Sequence, residues 1–147
     1  RFTGPHRSSF HGNSYFDPLT VMQNGIPRKG NNDTLIASHN NPTSGYVFSS
    51  LNPGIAFQPK FAKNEKTGAS FVYEIANPQN SVDVHKALPS SVAAEKAELA
   101  RFGGVSAEDI MGITIRMPDG KIFKYTKEEF LNLPKEKIDE YVRLGTR

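Results

Sequence analysis

Runs of apolar and β-branched residues place the predicted strands in the middle of the chain. Residues 69–75 (A-S-F-V-Y-E-I) give the clearest strand, because nearly all of them favour extended structure. A shorter strand is predicted at 46–50 (Y-V-F-S-S). Residues 111–117 and 121–125, joined by a P-D-G turn at 118–120, predict a β-hairpin.

Capping residues predict short helices towards both ends of the chain. Ser, Thr, Asn and Asp before a helix accept hydrogen bonds from its free N–H groups, whereas Gly and Pro end or interrupt it. A capping box also pairs a Ser or Thr with an acidic residue three positions later. Such signals occur at Asp17-Pro18 with Gly25, at Asn52-Pro53 with Pro59, at Ser106 with Asp109, and at Thr126 with Glu129, where a helical pair interrupted by Pro134 ends near Gly145.

The remaining segments lack a clear period. Residues 1–16 are predicted to be irregular, 26–33 to form a loop and 77–91 to be mostly loop, while 34–39 fit one helical turn. Residues 97–102 (A-E-L-A-R-F) fit either a strand or a helix, because periodicity cannot decide over six residues. Central strands flanked by short helices predict an α+β fold, not a regular βαβ array.

Length and composition narrow the classes of protein that fit. The 147 residues fit one domain, 1–147, and 37% apolar content permits a packed core. No apolar run approaches the roughly 20 residues of a membrane-spanning helix, and no basic-then-apolar leader opens the chain. Cysteine is absent, which excludes disulfides and a thiolate nucleophile. The net charge of +3, without a Lys/Arg block, gives little reason by itself to expect nucleic-acid binding.

Common catalytic motifs are missing. The sequence has neither a standard glycine-rich phosphate loop nor a His-Glu-x-x-His motif, and its four histidines (6, 11, 39 and 85) are scattered. No metal site is therefore predicted.

Several short blocks, taken together in order, resemble a known family. Each block is weak alone, but their order and spacing are similar to those of the pertussis- and cholera-toxin-like mono-ADP-ribosyltransferases. The blocks span 23 to 110, more than half of the chain: Q-N-G (23–25), G-N-N-D (30–33), S-H (38–39), S-G-Y-V-F-S-S (44–50), F-V-Y-E-I (71–75) and A-E-L-A-R-F-G-G-V-S-A-E-D-I (97–110).

The resemblance implies a fold and an activity. The fold would be an α+β core of two packed, mainly antiparallel sheets with short peripheral helices. The activity would be transfer of ADP-ribose from NAD, the co-substrate, to a macromolecular acceptor with release of nicotinamide, and it would need no metal.

The resemblance also implies a set of catalytic and NAD-binding residues. Glu98 matches the family's final glutamate, because it stands directly before L-A-R-F-G-G-V-S. A fixed carboxylate there stabilises the positive charge that develops on the ribose as the nicotinamide bond breaks. The serine element matches 48–50, where Phe48 takes the place of the first serine, so either Ser49 or Ser50 would orient Glu98.

Two further elements of the implied NAD cleft lie earlier in the chain. His39 matches the family's cleft histidine. An arginine is implied near the N-terminus, where its forked donors would clamp the diphosphate; Arg1 or Arg7 fits this place, and Arg1 is the first choice.

The acceptor is left open between a protein and a nucleic acid. Arginine-modifying relatives carry a Glu two residues before the final Glu, where this chain has Lys96, with Glu95 one position earlier. A cation there would repel an incoming guanidinium and tolerate a phosphate-bearing acceptor such as RNA or DNA.

Two other functions remain possible for the same fold. An NAD glycohydrolase would use water in place of the acceptor, and a non-catalytic binding module would have lost activity, in keeping with Phe48 and Lys96. Membership of the family would further imply a bacterial toxin or virulence effector that is secreted or delivered into a target cell. A delivery subunit or larger carrier polypeptide, and an immunity protein in the producing cell, would accompany it.

Overall fold

The strands form an antiparallel sheet in which neighbours in space are mostly distant in sequence. The computed structural model of the protein describes residues 8–28, 30, 45–87 and 98–147. Within these residues seven strands are hydrogen-bonded in the order β4-β5-β2-β1-β3-β6-β7, and every pair is antiparallel. The strands are β1 (Ser8–Gly12), β2 (Tyr46–Ser50), β3 (Ser70–Ala76), β4 (Val82–Asp83), β5 (Glu98–Phe102), β6 (Ile110–Arg116) and β7 (Ile122–Thr126).

Short helices lie between the strands and at the C-terminal end. They are α1 (Pro18–Asn24), α2 (Pro53–Ala56), α3 (Pro59–Ala62), α4 (Val84–Ala87), α5 (Lys127–Leu131) and α6 (Lys135–Gly145), with 3₁₀ turns at Pro78–Asn80 and Ala107–Asp109. The predicted α+β class, with a mainly antiparallel sheet and short helices, is confirmed. None of the described helices has the length and apolar character needed to cross a bilayer.

The pairing between β1 and β2 is shorter than the pairings on either side of it. Among the described residues these strands share one register pair, Phe10 with Ser50, whereas β2 and β5 share five and β1 and β3 share five. This short pairing divides the sheet into a section β4-β5-β2 and a section β1-β3-β6-β7, and both belong to one hydrogen-bonded sheet. The expected arrangement of the strands in two separate, packed sheets stays a prediction.

Most helices begin at the residues that the sequence indicates. The Asp17 side chain accepts from the Thr20 N–H, and Gly25 ends α1 with a positive φ of 80°. Thr126 and Glu129 form the expected capping box at the start of α5. Pro59 follows the end of α2 as predicted, but it also occupies the first turn of α3, where its missing N–H costs nothing.

Two of the predictions need correction, and one open choice is decided. Residues 8–12 form strand β1 and are not irregular, because β3 supplies hydrogen-bonding partners along their whole length. The segment predicted to be mostly loop contains β4 and α4. Residues 98–102, left undecided, form strand β5 because pairing with β2 selects extended structure. The helical turn predicted at 34–39 lies outside the described residues.

The main core lies on one face of β3 and β6. Alternate residues of β3 point into it, and the hydrophobic sides of α1, α5 and α6 cover it. Its largest fully buried side chains include Phe71, Tyr73, Met22, Phe130 and Tyr141. A smaller cluster on the opposite face contains Val72 and the alanines of α2 and α3, with Phe10 packed against it. Covering both faces of this section fixes β1 and β3 as a rigid support for the rest of the sheet.

One tyrosine of the core carries an uncompensated hydroxyl. The Tyr73 hydroxyl is buried, and the described residues offer it no hydrogen-bond partner. Burial, with a smaller contribution from Asp17, raises the pKa of Tyr73 well above its ordinary value of 10. The folded protein therefore resists ionisation of Tyr73, whereas the unfolded chain ionises it near pH 10.

Tyr73→Phe is expected to leave stability at pH 7 unchanged or raise it by about 1 kcal/mol, because it removes an unpaired buried polar group. Because the folded state keeps Tyr73 protonated while the unfolded chain ionises it above pH 10, the wild type loses stability progressively as the pH rises above 10. The variant's advantage should therefore grow by about 1.4 kcal/mol per pH unit above pH 10. Urea unfolding of both proteins at pH 7, 10 and 11 measures this; a variant that is less stable throughout would contradict it.

Candidate active site

The predicted glutamate lies at the start of a buried strand. Glu98 is the first residue of β5 and is 8% exposed, and Leu99, Ala100 and Arg101 after it are also buried. A carboxylate is rarely so deeply enclosed unless polar groups accompany it. Its position is therefore a specific feature of this sheet and not that of a solvated surface acid.

The strand register distinguishes the two predicted serines. Ser50, 4% exposed, lies directly opposite Glu98, so the two side chains share one face of the sheet. Ser49 lies opposite Leu99, and its hydroxyl donates to the Ser9 hydroxyl on β1 at 2.9 Å. The register thus brings Ser50, and not Ser49, beside the buried carboxylate.

A turn after β2 orients the Ser50 hydroxyl. The backbone N–H of Asn52 donates to Ser50 Oγ at 3.0 Å, and the Asn52 side chain in turn caps α2. Because the oxygen accepts this bond, the hydroxyl proton is directed elsewhere and can be donated to a carboxylate. A serine held in this way can fix the rotamer of the neighbouring Glu98.

The same face of the sheet continues across β1 to β3. Phe10 stands in register with Ser50, and Glu74 stands in register with Phe10. Glu74 is partly buried and accepts a hydrogen bond of 2.7 Å from the Ser8 hydroxyl. Three strand spacings separate it from Glu98, which is about 14 Å.

A buried arginine anchors the strand that carries Glu98. One terminal nitrogen of Arg101 donates to Asp109 at 2.9 Å, and the other donates to the carbonyls of Ala76 and Asn77 at 2.9 and 2.6 Å. Asn77, in the left-handed region with φ 57°, also donates to Asp109 through its amide. Burial lowers the pKa of the Arg101 guanidinium, an effect that the charge of Asp109 opposes. The guanidinium thereby joins β5 to the end of β3 and to the turn before β6.

The remaining predicted site residues fall in other parts of the chain. Arg1, Arg7, His39, Glu95 and Lys96 all lie outside the described residues. Their roles in binding NAD or choosing an acceptor stay predictions.

The structure also places polar residues here that the sequence did not indicate. Ser9 is fully buried, His11 bonds to the Phe48 carbonyl, and Asn13 bonds to the His11 ring. All three come from the segment predicted to be irregular. S-S-F-H-G has one apolar residue and therefore no alternation that would predict a strand, and the contacts of Ser9 and His11 depend on β2, about forty positions further along the chain.

The described residues contain no group of three or more His, Asp or Glu side chains placed to hold a metal ion. The chemistry available from them is that of a fixed carboxylate beside a hydroxyl. Such a pair can stabilise developing positive charge and hold a hydroxyl group of a ligand.

Comparison with solved structures identifies the fold as that of the ADP-ribosyltransferases. A structure described as a guanine-specific ADP-ribosyltransferase superposes with a TM-score of 0.66 and 18% identity, over 88% of this chain and 79% of that one. Scabin toxin from Streptomyces scabies in complex with NADH superposes with a TM-score of 0.58 and 19% identity, over 76% and 66% of the respective chains. This chain therefore spans about two thirds of the length of that toxin.

A variant of Scabin from Streptomyces scabies gives a TM-score of 0.62 at 17% identity, over 83% of this chain and 74% of the variant. No protein-family model matches the sequence, and no curated protein matches it. At such low identity the likeness shows the fold. The expected ADP-ribosyltransferase architecture is thus confirmed, whereas the pertussis- and cholera-toxin-like class stays a prediction.

Arg101→Met is expected to destabilise the protein by about 3 kcal/mol, because it leaves Asp109 and two backbone carbonyls without their buried donor. Urea unfolding measures the loss. Lys135→Met is the matched control, since it removes an ion pair at 2.7 Å whose side chains are 85% and 58% exposed. It should change the free energy of unfolding by less than about 0.5 kcal/mol. Equal effects of the two variants would refute the anchoring role.

Proposed function

We propose that this protein transfers ADP-ribose from NAD to a macromolecular acceptor and releases nicotinamide. The observation that carries the proposal is the buried register pair of Glu98 and Ser50 within an ADP-ribosyltransferase fold. The NADH complex of a protein with the same fold supports NAD as the co-substrate.

Each residue of the pair has a distinct part in the proposed reaction. Departure of nicotinamide leaves positive charge on the ribose, and the Glu98 carboxylate stabilises that charge and accepts a hydrogen bond from a ribose hydroxyl. Ser50 donates a hydrogen bond to Glu98 and holds the carboxylate in place. Arg1 or Arg7 binds the diphosphate, and His39 lines the cleft, as the family resemblance implies.

Guanine in a nucleic acid is the acceptor that we favour over a protein. One protein with this fold is described as guanine-specific, and Lys96 suits a phosphate-bearing acceptor better than it suits a guanidinium.

We also propose that the protein is a bacterial toxin or effector, since proteins of this fold from Streptomyces scabies are described as toxins. Secretion, a delivery subunit and an immunity protein would follow from that role.

Glu98→Gln is expected to lower transfer at least 10²-fold, because the amide cannot stabilise the ribose charge. The assay incubates the protein with labelled NAD and separated protein, RNA and DNA fractions, and it counts the label in each. Glu74→Gln makes the same chemical change about 14 Å away on the same face of the sheet and should keep normal transfer. Equal activity of Glu98→Gln and wild type would remove Glu98 from the reaction.

The same assay distinguishes the alternative functions. A glycohydrolase would release nicotinamide at full rate from NAD without any acceptor, whereas a transferase should do so slowly. A non-catalytic module would bind NAD without turnover, or would fail to bind it at millimolar concentration. Label in the protein fraction, and none in RNA or DNA, would overturn the preference for a nucleic-acid acceptor.

The register predicts that the two serines differ in importance. Ser50→Ala should lower kcat by about 10-fold or more, because it removes the side chain opposite Glu98. Ser49→Ala should lower kcat less, because the Ser49 hydroxyl bonds to Ser9 and not to the glutamate. Steady-state nicotinamide release by the two variants, each normalised to folded protein, decides this; a larger loss from Ser49→Ala would contradict the register argument.

A further inference from the structure

Side chains connect β1 and β2 where their backbone pairing is short. We call this part of the sheet the seam, defined by residues 9–11 of β1 and 48–50 of β2. Besides the Phe10–Ser50 register pair, the Ser9 and Ser49 hydroxyls bond to each other, and His11 Nδ1 lies 2.6 Å from the Phe48 carbonyl oxygen. At the seam, side-chain contacts therefore join β1 and β2 in place of a continuous ladder of backbone hydrogen bonds.

The neighbours of His11 fix its protonation. A carbonyl oxygen can only accept, so Nδ1 carries the proton and donates to Phe48. Asn13 Oδ1 accepts from the backbone N–H groups of Tyr15 and Phe16 at 2.8 and 3.3 Å, which turns its NH₂ group towards His11. Nε2 of His11 then accepts from that NH₂ at 3.1 Å. With these partners among the described residues, the ring takes the neutral Nδ1–H form.

Asn13 is itself firmly placed. It is 6% exposed, and its backbone N–H donates to the Phe71 carbonyl of β3 at 3.1 Å. The sequence of contacts thus runs from the rigid β1-β3 section, through Asn13 and His11, to the backbone of β2. Its last bond reaches Phe48, two residues before Ser50.

We propose that His11 is a positioning residue of the active site, which ties β2 to β1 at the seam and so sets the place of the Ser50–Glu98 pair relative to the β1-β3 section of the sheet. The inference rests on the proposed function for its catalytic consequence. A displacement of about 1 Å at a reacting group can cost 10²-fold in rate, so a bond two residues from Ser50 is close enough to matter.

Three variants test the role of His11. His11→Leu removes the donor to Phe48 at similar volume and should lower kcat, per folded molecule, by about 10²-fold. His11→Asn places an amide N–H where Nδ1 stood and should recover kcat to within about 5-fold of wild type. Asn13→Ala should fall between the two, because the ring keeps its bond to Phe48 but loses the partner that orients it. Normal kcat in His11→Leu, or no recovery in His11→Asn, would overturn the proposal.

Two further readouts are independent of turnover. Nitrogen-15 NMR of wild type should show the Nδ1–H form for His11, and amide hydrogen exchange in β2 should be faster in His11→Leu than in wild type or His11→Asn. Exchange in β3 and β6 should stay the same in all three. If wild type neither transfers ADP-ribose nor releases nicotinamide, the proposed function fails. The exchange data then decide alone, and unchanged β2 protection in His11→Leu would overturn the tie to β1.

Discussion

Strand β2 joins the two sections of the sheet, and its two edges are held by unequal means. Towards β5 it has a continuous antiparallel ladder that keeps Ser50 opposite Glu98. Towards β1 it has one register pair supplemented by side chains of Ser9 and His11. The buried carboxylate and its hydroxyl are thus fixed to each other by backbone geometry. Their position relative to the large core depends on a few polar contacts.

The parts of the fold that could be predicted are those that local chemistry determines. Strand β3 follows from a run of β-favouring residues, the β6–β7 hairpin follows from its P-D-G turn, and α5 follows from its capping box. Strands β1 and β5 are harder to predict from the sequence, because S-S-F-H-G and E-L-A-R-F carry little local preference for a strand. Each is paired along its whole length with a strand more than forty positions away, β1 with β3 and β5 with β2.

The candidate site likewise has residues that the sequence could indicate and residues that it could not. Glu98 and the serine pair could be named as candidates because adjacent sequence blocks resemble a family. The choice between Ser49 and Ser50 could not be made, because one residue of register reverses the face to which each side chain points. The role that we propose for His11 and Asn13 has no signal in the sequence, since it depends on contacts to the Phe48 carbonyl and to the turn at Tyr15 and Phe16.

The two margins of the sheet bear on self-association. An exposed edge strand can recruit a strand from another molecule, and short edges or charged side chains discourage this. Among the strands that the structure describes, one margin is β4, which is two residues long. The other is β7, where Ile122 is 57% exposed and Lys124 follows on the same side of the strand. The two residues of β4 offer almost no template, and Lys124 places a charge in the middle of β7, so these two described edges both disfavour edge-to-edge stacking into fibres.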